Sequence, residues 1–105
     1  MTLIDPQPVT LDRVLPSAQE LLDEESRLHA RVVSGDELAL MECFDRTGPL
    51  VFCAALLHTG LESEAEALTE ALFVEFWQSP NDFAPERGPL GLQMLLRLSE
   101  RAAAA

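Results

Sequence analysis

Apolar residues recur at steps of three or four in four separate segments of the chain, and this spacing strongly limits the possible fold. Such steps place side chains on one face of a helix, whereas a strand needs alternation of apolar and polar residues. No alternating stretch of any length is present. With 105 residues, 48% of them hydrophobic, the chain can bury one core. The sequence therefore predicts an all-α domain, a compact bundle of about four helices.

Capping residues and Gly/Pro breaks predict where the helices begin and end. Ser17 and Asp36 are good N-cap residues, and Ser63 with Glu66 forms a capping box. Pro49 follows a glycine inside the second segment and predicts a kink or a break there. The predicted helices cover residues 17–33, 37–59, 64–78 and 90–104. Residues 1–16, with three prolines, are predicted to be an extended lead-in, and residues 17–105 a single helical domain.

The spacing of apolar residues also predicts which face of each helix is buried. The residues predicted to be buried in the first two helices are Leu21, Leu22, Leu28 and Val32, and then Leu38, Met41, Phe44, Val51, Phe52, Ala55 and Leu56. Those in the third helix are Ala65, Leu68, Leu72, Phe73, Phe76 and Trp77. Those in the fourth helix are Leu90, Met94, Leu95, Leu98 and Ala102.

The two cysteines, Cys43 and Cys53, fall in the same predicted helix. At a rise of about 1.5 Å per residue they lie roughly 15 Å apart, whereas disulfide-bonded Cα atoms lie within about 7 Å. Neither His29 nor His58 has a Cys or His at ligand spacing, so no metal site is predicted. Both cysteines are interpreted as small buried apolar residues.

The charge is strongly acidic, and this excludes one class of function. Eighteen acidic residues face seven basic ones, giving a formal net charge of -11, and every basic residue is Arg. A protein that holds duplex DNA needs clustered cations, so autonomous duplex binding is improbable. The acidic surface fits a basic protein partner, or it serves solubility alone.

Neither catalysis nor a cofactor is predicted. The chain has no Tyr, no glycine-rich phosphate loop, and no His beside an acid or nucleophile at a suggestive spacing. No signal peptide pattern is visible, and no apolar run approaches the roughly 18–20 residues that span a bilayer. The expected location is the cytoplasm, with no membrane contact.

Several short motifs follow one another in an order typical of a known domain. These are Gly35-Asp36-Glu37 before Phe44-Asp45-Arg46, then Gly48-Pro49-Leu50-Val51-Phe52, Gly60 with Ala65-Glu66, Phe73 with Trp77, and Phe83-Ala84-Pro85-Glu86-Arg87-Gly88. The ordered set, over residues 35–101, resembles region 2 of extracytoplasmic-function (ECF) sigma factors. These small subunits bring bacterial RNA polymerase to promoters.

The resemblance implies a polymerase-binding surface on the third helix. In the family, an Asp and a Gln-Glu pair there engage the clamp of the largest polymerase subunit. The matching positions hold Ala67, Glu70 and Ala71, so only the middle one remains polar. Glu66 and Glu70 lie one turn apart on one face and can supply carboxylates to a basic clamp. Core RNA polymerase is the partner that the resemblance implies.

The resemblance also implies a surface for the melted promoter strand, formed by the loop and the last helix. Base stacking and cations along the backbone are the physical basis of such binding. The candidate residues are Phe83, Arg87, Arg97 and Arg101. These cations are few for an acidic domain, so single-stranded promoter DNA is expected to bind weakly if at all. Phe83 is interpreted first as a loop anchor and then as a nucleobase contact. Arg87 is interpreted first as an ion-pair partner at the start of a helix and then as a strand contact.

Two functions of different classes follow. The first is a sigma factor-like domain that acts in transcription initiation by binding core RNA polymerase and the melted promoter strand. The second is a degenerate sigma-like mimic or adaptor that binds an anti-sigma-like regulator and not DNA. An unrelated helical bundle is a third interpretation, and the oligomeric state is left open.

Overall fold

The computed structural model describes residues 17–104, and these form α-helices joined by short turns, with no strand among them. The elements are α1 Ala18–Val33, α2 Glu37–Thr59, α3 Glu62–Gln78, two 3-10 turns at Pro80–Phe83 and Pro85–Arg87, and α4 Leu90–Ala104. The predicted all-α bundle is confirmed. The predicted lead-in, residues 1–16, lies outside the described residues.

Local side-chain caps explain where α1 and α2 begin. The Ser17 hydroxyl accepts a hydrogen bond from the Glu20 backbone N–H at 3.1 Å. Asp36 does the same at the start of α2, where one carboxylate oxygen accepts from the Leu38 N–H at 3.0 Å. Gly35, with φ of 90°, provides the left-handed residue that turns the chain between the two helices.

α2 is continuous through Pro49, so of the two predicted alternatives, a kink or a break, the break is wrong. A proline removes the N–H that would bond to the carbonyl four residues earlier, here that of Asp45. Asp45 is exposed, and water can serve this carbonyl in place of the lost donor. Gly48 leaves room for the Phe44 ring, since a Cβ atom there would lie 3.3 Å from two ring carbons.

α3 begins two residues before the predicted start, and the predicted Ser63 cap is wrong. Its N-cap is Leu61, which has no side-chain cap. The Thr59 hydroxyl accepts from the Leu61 N–H at 3.3 Å and donates to the Leu61 carbonyl at 3.1 Å. This Thr turn shapes the chain before α3, so the helix starts without the capping box.

The buried face of α2 differs from the predicted one. A line of mostly small residues at steps of four is buried, namely Ala39, Cys43, Thr47, Val51 and Ala55. Among the large residues predicted to be buried, Met41 is 60% exposed and Phe44 46%, and Leu38 and Leu56 are exposed as well. Small residues allow neighbouring helices to approach α2 closely, so its larger side chains stay at the edges of the contacts.

Two further burial predictions are wrong. Leu21 and Leu22 are exposed on α1, where only Leu28 and Val32 are buried. Cys53 is exposed, while Cys43 is buried as predicted.

α2 and α3 form the most extensive helix pair, and α1 and α4 both pack against α2. The predicted apolar faces of α3 and α4 do supply much of the core. The largest fully buried side chains of the whole core are Phe76, Phe83, Leu72, Met94, Leu98 and Val51. No helix among residues 17–104 combines the length and apolar character that a bilayer crossing requires.

Candidate functional site

Phe83, predicted as a nucleic-acid contact or a loop anchor, lies in the core. Its side chain is 2% exposed at the end of the first 3-10 turn. The ring meets Phe76 edge to face, with centroids 5.3 Å apart and planes at 74°. In this conformation Phe83 anchors the loop, and a base cannot stack on it.

Arg97 covers the Phe83 ring and is itself held in place by two other groups. Its guanidinium carbon lies 4.2 Å from the ring centroid, a cation–π distance. One terminal nitrogen pairs with a carboxylate oxygen of Glu75 on α3. The other donates to the Asp82 carbonyl at 3.2 Å. The most buried of the predicted strand-binding cations is therefore engaged within the domain.

Arg101 and Arg87 complete this cluster. Arg101, one turn beyond Arg97, pairs with the second carboxylate oxygen of Glu75. Arg87 donates to the Asp82 carbonyl at 3.1 Å, a main-chain contact in place of the predicted ion pair. The structure thus brings all three predicted arginines to one end of the bundle. We call Arg87, Arg97 and Arg101 the arginine cluster.

Gln93, a buried side chain on α4, holds the loop that carries this cluster. Its amide nitrogen lies 2.8 Å from the Gly88 carbonyl oxygen and 2.9 Å from that of Ala84. The Phe83 carbonyl oxygen is 3.4 Å away. A buried amide donor shared among main-chain acceptors fixes the path of the loop, since each acceptor is costly to leave unsatisfied.

α1 holds the same loop from the other side through residues that the sequence did not single out as a site. One carboxylate oxygen of Glu25 accepts from the Leu90 N–H at 3.1 Å, at the start of α4. His29 Nε2 lies 2.9 Å from the Pro80 carbonyl oxygen. These partners are 65 and 51 residues apart in the chain, so no local pattern could have indicated them.

The predicted polymerase-binding residues lie together on α3. Glu66, Ala67 and Glu70 are exposed, and Ala71 is half-buried. Within residues 17–104, no cation pairs with Glu66 or Glu70. As far as this part of the chain is concerned, both carboxylates are open to a partner.

An apolar groove runs between α2 and α3 beside these carboxylates. One half is formed by Phe44, Gly48, Pro49 and Phe52 of α2, with Glu66, Thr69 and Glu70 of α3. The other half continues past Phe44 and Glu70 to Leu40, Met41, Phe73, Val74 and Trp77. We call this surface the α2–α3 groove. Apolar walls with acidic residues on the rim suit a partner that is apolar on one side and basic at its edge.

A shallow hollow lies on the other side of Glu70. Ala67 and Ala71 form part of it, and it extends to Glu75 and Arg101. The small side chains of Ala67 and Ala71 thus leave open space that leads to Arg101 of the arginine cluster.

The interior offers little room for a small molecule. A cavity of about 20 Å³ lies among α1, α2 and the loop, bordered by Cys43, His29 and Arg46 among others. That volume suits about one water molecule. Burial raises the pKa of the Cys43 thiol to about 11, as expected of an unreactive structural cysteine. No group of three metal-ligating side chains occurs within the described part of the chain.

Comparison with protein-family models, with curated proteins and with solved structures finds no match for this chain. The surfaces described above and the sequence motifs are therefore the features that bear on function.

Proposed function

We propose that the chain is a diverged region 2-like domain of the ECF sigma factor type, which binds core RNA polymerase at the clamp of its largest subunit. The docking surface would be the exposed face of α3 with the α2–α3 groove. One observation carries the proposal: Glu66 and Glu70 are exposed, have no ion pair within residues 17–104, and border the apolar α2–α3 groove.

The physical basis is the combination of two interactions at one place. Burying the groove's apolar surface supplies affinity that salt does not screen. The two carboxylates lie one helical turn apart, a spacing that two basic residues on successive turns of a partner helix can match. The net charge of -11 adds long-range attraction to a basic partner.

The promoter strand has a smaller role in this proposal. Strand binding requires cations that face the solvent and an aromatic ring that a base can reach. Arg97 and Arg101 are paired with Glu75, and Phe83 is buried. The isolated domain is therefore expected to bind single-stranded promoter DNA weakly if at all.

A pull-down with core RNA polymerase tests the docking surface. The double substitution Glu66→Ala with Glu70→Ala should reduce retention at least about tenfold, because two charge-assisted contacts are lost. Glu62→Ala with Glu64→Ala is the matched control, since it removes the same charge from exposed residues of the first turn of α3, away from the groove. Equal losses in the two variants would indicate a general effect of charge and contradict the proposed surface.

The apolar half of the surface has its own variant. Met41 is 60% exposed and borders the groove, so Met41→Ser should leave the fold intact. Retention should fall in this variant and should depend little on salt, whereas the contribution of the two carboxylates should weaken as salt is added. An unchanged Met41→Ser variant would exclude the groove from the interface.

A second candidate is the mimic or adaptor that binds an anti-sigma-like regulator and not DNA. The engagement of the arginine cluster within the domain favours it, because such a protein needs the helical surface and not the strand-binding chemistry. A folded wild-type domain that core polymerase does not retain would favour this candidate over the first.

A further inference from the structure

We infer that Glu75 is an internal counterion that occupies a phosphate-binding pair formed by Arg97 and Arg101, and so keeps the domain from holding a single-stranded nucleic acid. The inference deepens the proposed function by naming what controls strand binding. The test of this inference uses no polymerase. A negative result would therefore contradict the role of Glu75 without bearing on the proposed docking surface.

The charge balance of the arginine cluster is the first observation. Elsewhere in residues 17–104, arginines and carboxylates pair in comparable numbers: Arg27 and Arg46 meet Glu24, and Arg31 meets Asp36 and Glu42.

At the arginine cluster, Arg97 and Arg101 share the carboxylate of Glu75. Glu24 is shared by two arginines in the same way, so the cluster differs by its third arginine. Among residues 17–104, the Arg87 guanidinium has one hydrogen-bond partner, the Asp82 main-chain carbonyl. This end of the bundle thus gathers cations in excess of the carboxylates that bind them, in a chain that is acidic overall.

The geometry of the pair is the second observation. Two guanidinium groups from successive turns of α4 converge on the two oxygens of one carboxylate. A backbone phosphate also presents charged oxygens to such a pair, and arginine forks suit both groups. Glu75 therefore holds the place that a phosphate would take.

The ring beneath Arg97 is the third observation. The guanidinium that pairs with Glu75 is the same group that lies 4.2 Å from the Phe83 centroid. Moving the Arg97 guanidinium away from Glu75 would therefore expose one face of the Phe83 ring. Single-stranded nucleic acids are held by this combination of cations and an aromatic surface.

Glu75 can be reached from the proposed docking surface. The hollow bordered by Ala67, Glu70 and Ala71 ends at Glu75 and Arg101. A cation of a protein docked on α3 could pair with Glu75 there and free the arginines. Docking and strand binding would then be coupled through a single carboxylate.

The test is the affinity of the purified full chain for a fluorescein-labelled 20-residue oligothymidylate, measured by anisotropy at about 20 mM salt, where screening is weak. Glu75→Gln keeps the shape of the side chain and removes its charge. It should tighten binding by about tenfold, since two charge-assisted contacts no longer compete. The slope of the logarithm of the binding constant against the logarithm of the salt concentration should become steeper by roughly 1.4. This value corresponds to two more phosphate contacts at about 0.7 each.

Two controls make the outcome decisive. Glu100→Gln removes the same charge beside Arg101, from an exposed residue without an ion pair in residues 17–104, and should change affinity far less. Adding Arg97→Gln and Arg101→Gln to Glu75→Gln should return binding to the wild-type level.

Equal effects of Glu75→Gln and Glu100→Gln, or no effect of either, would overturn the inference. If circular dichroism shows Glu75→Gln unfolded, Glu75→Asp is the substitute, because its carboxylate is kept but withdrawn by one methylene. It should give a smaller gain in affinity, and no gain would again overturn the inference.

Discussion

The guanidinium of Arg97 lies over the ring of Phe83, with 4.2 Å between the guanidinium carbon and the ring centroid. The cation and the aromatic to which the family resemblance gives a strand-binding role thus face each other inside the domain. Glu75 holds Arg97 in this position from the adjacent helix. Under the proposed function, this contact would stabilise the fold and also close the strand-binding surface.

Substitution of Arg97 tests the structural part of this role. Arg97→Ala removes a cation–π contact and a partly buried ion pair, and should lower the free energy of unfolding by about 1–2 kcal/mol. Urea unfolding followed by circular dichroism measures the change. Arg27→Ala is the control, since its pair with Glu24 is exposed and should contribute nothing measurable. Equal effects of the two substitutions would show that the Phe83 contact contributes no stability.

Among the polar residues that hold the loop, Gln93 on α4 should be the most sensitive to substitution. Gln93→Met keeps the approximate volume but takes the donor away from the carbonyls of Ala84 and Gly88. Buried acceptors without a partner should cost about 2–3 kcal/mol of unfolding free energy. Gln78→Met, at an exposed position, should change stability little. A stable Gln93→Met variant with an unchanged melting temperature would show that the loop does not depend on this amide.

The two cysteines should differ in reactivity. Iodoacetamide at about pH 8 should alkylate exposed Cys53 in the native protein and leave buried Cys43 unmodified until unfolding. Mass spectrometry of the native and the urea-unfolded protein distinguishes the two sites. Equal modification of both in the native protein would contradict the packing of Cys43.

The raised pKa of Cys43 also predicts a pH dependence of stability. Burial raises this pKa from 9.0 to about 11, so the thiol ionises in the unfolded chain before it does so in the folded one. The native state should therefore lose stability as pH rises from about 9 to about 11. Cys43→Ala should flatten the dependence over that interval in urea unfolding at several pH values. An identical slope in this variant would assign the loss to other groups.

Asp36 predicts an effect at acid pH. Its hydrogen bond with Arg31 lowers the pKa of the Asp36 carboxyl below the usual 3.8. The stabilisation is present above that value and is lost as pH falls through the lower pKa of the folded state. Asp36→Asn keeps an N-cap but not the charge, so its melting temperature should fall less than that of the wild type on acidification from about pH 5 to 2. Asp45→Asn, at an exposed position without an ion pair in residues 17–104, should follow the wild type.

Prediction from the sequence succeeded where the relevant interactions are local. Ser17 and Asp36 cap helices as predicted, because the hydrogen bonds involved join residues two or three apart. It failed at Ser63, where the hydroxyl of Thr59 shapes the chain before α3 instead. Both residues are capping types, and only the three-dimensional path of the turn distinguishes between them.

The buried face of α2 shows a second kind of failure. The sequence predicted that large apolar residues such as Met41 and Phe44 are buried. The residues of α2 that are buried are mainly small ones, including Ala39 and Ala55. Hydrophobicity ranks large side chains above small ones, but close helix contacts need small ones. Met41 and Phe44 border the α2–α3 groove, so this part of the failed prediction coincides with the proposed docking surface.

The sequence by itself determined the helices and most of their ends, because these depend on spacings of three and four residues and on caps within the same turn. It also placed Glu66, Ala67, Glu70 and Ala71 on one helix. Only the tertiary structure decided that Arg97 meets Glu75, 22 residues away, and that Glu25 caps α4 from 65 residues away. Such pairs depend on how helices pack, which is set by the fit of whole surfaces and not by any local pattern.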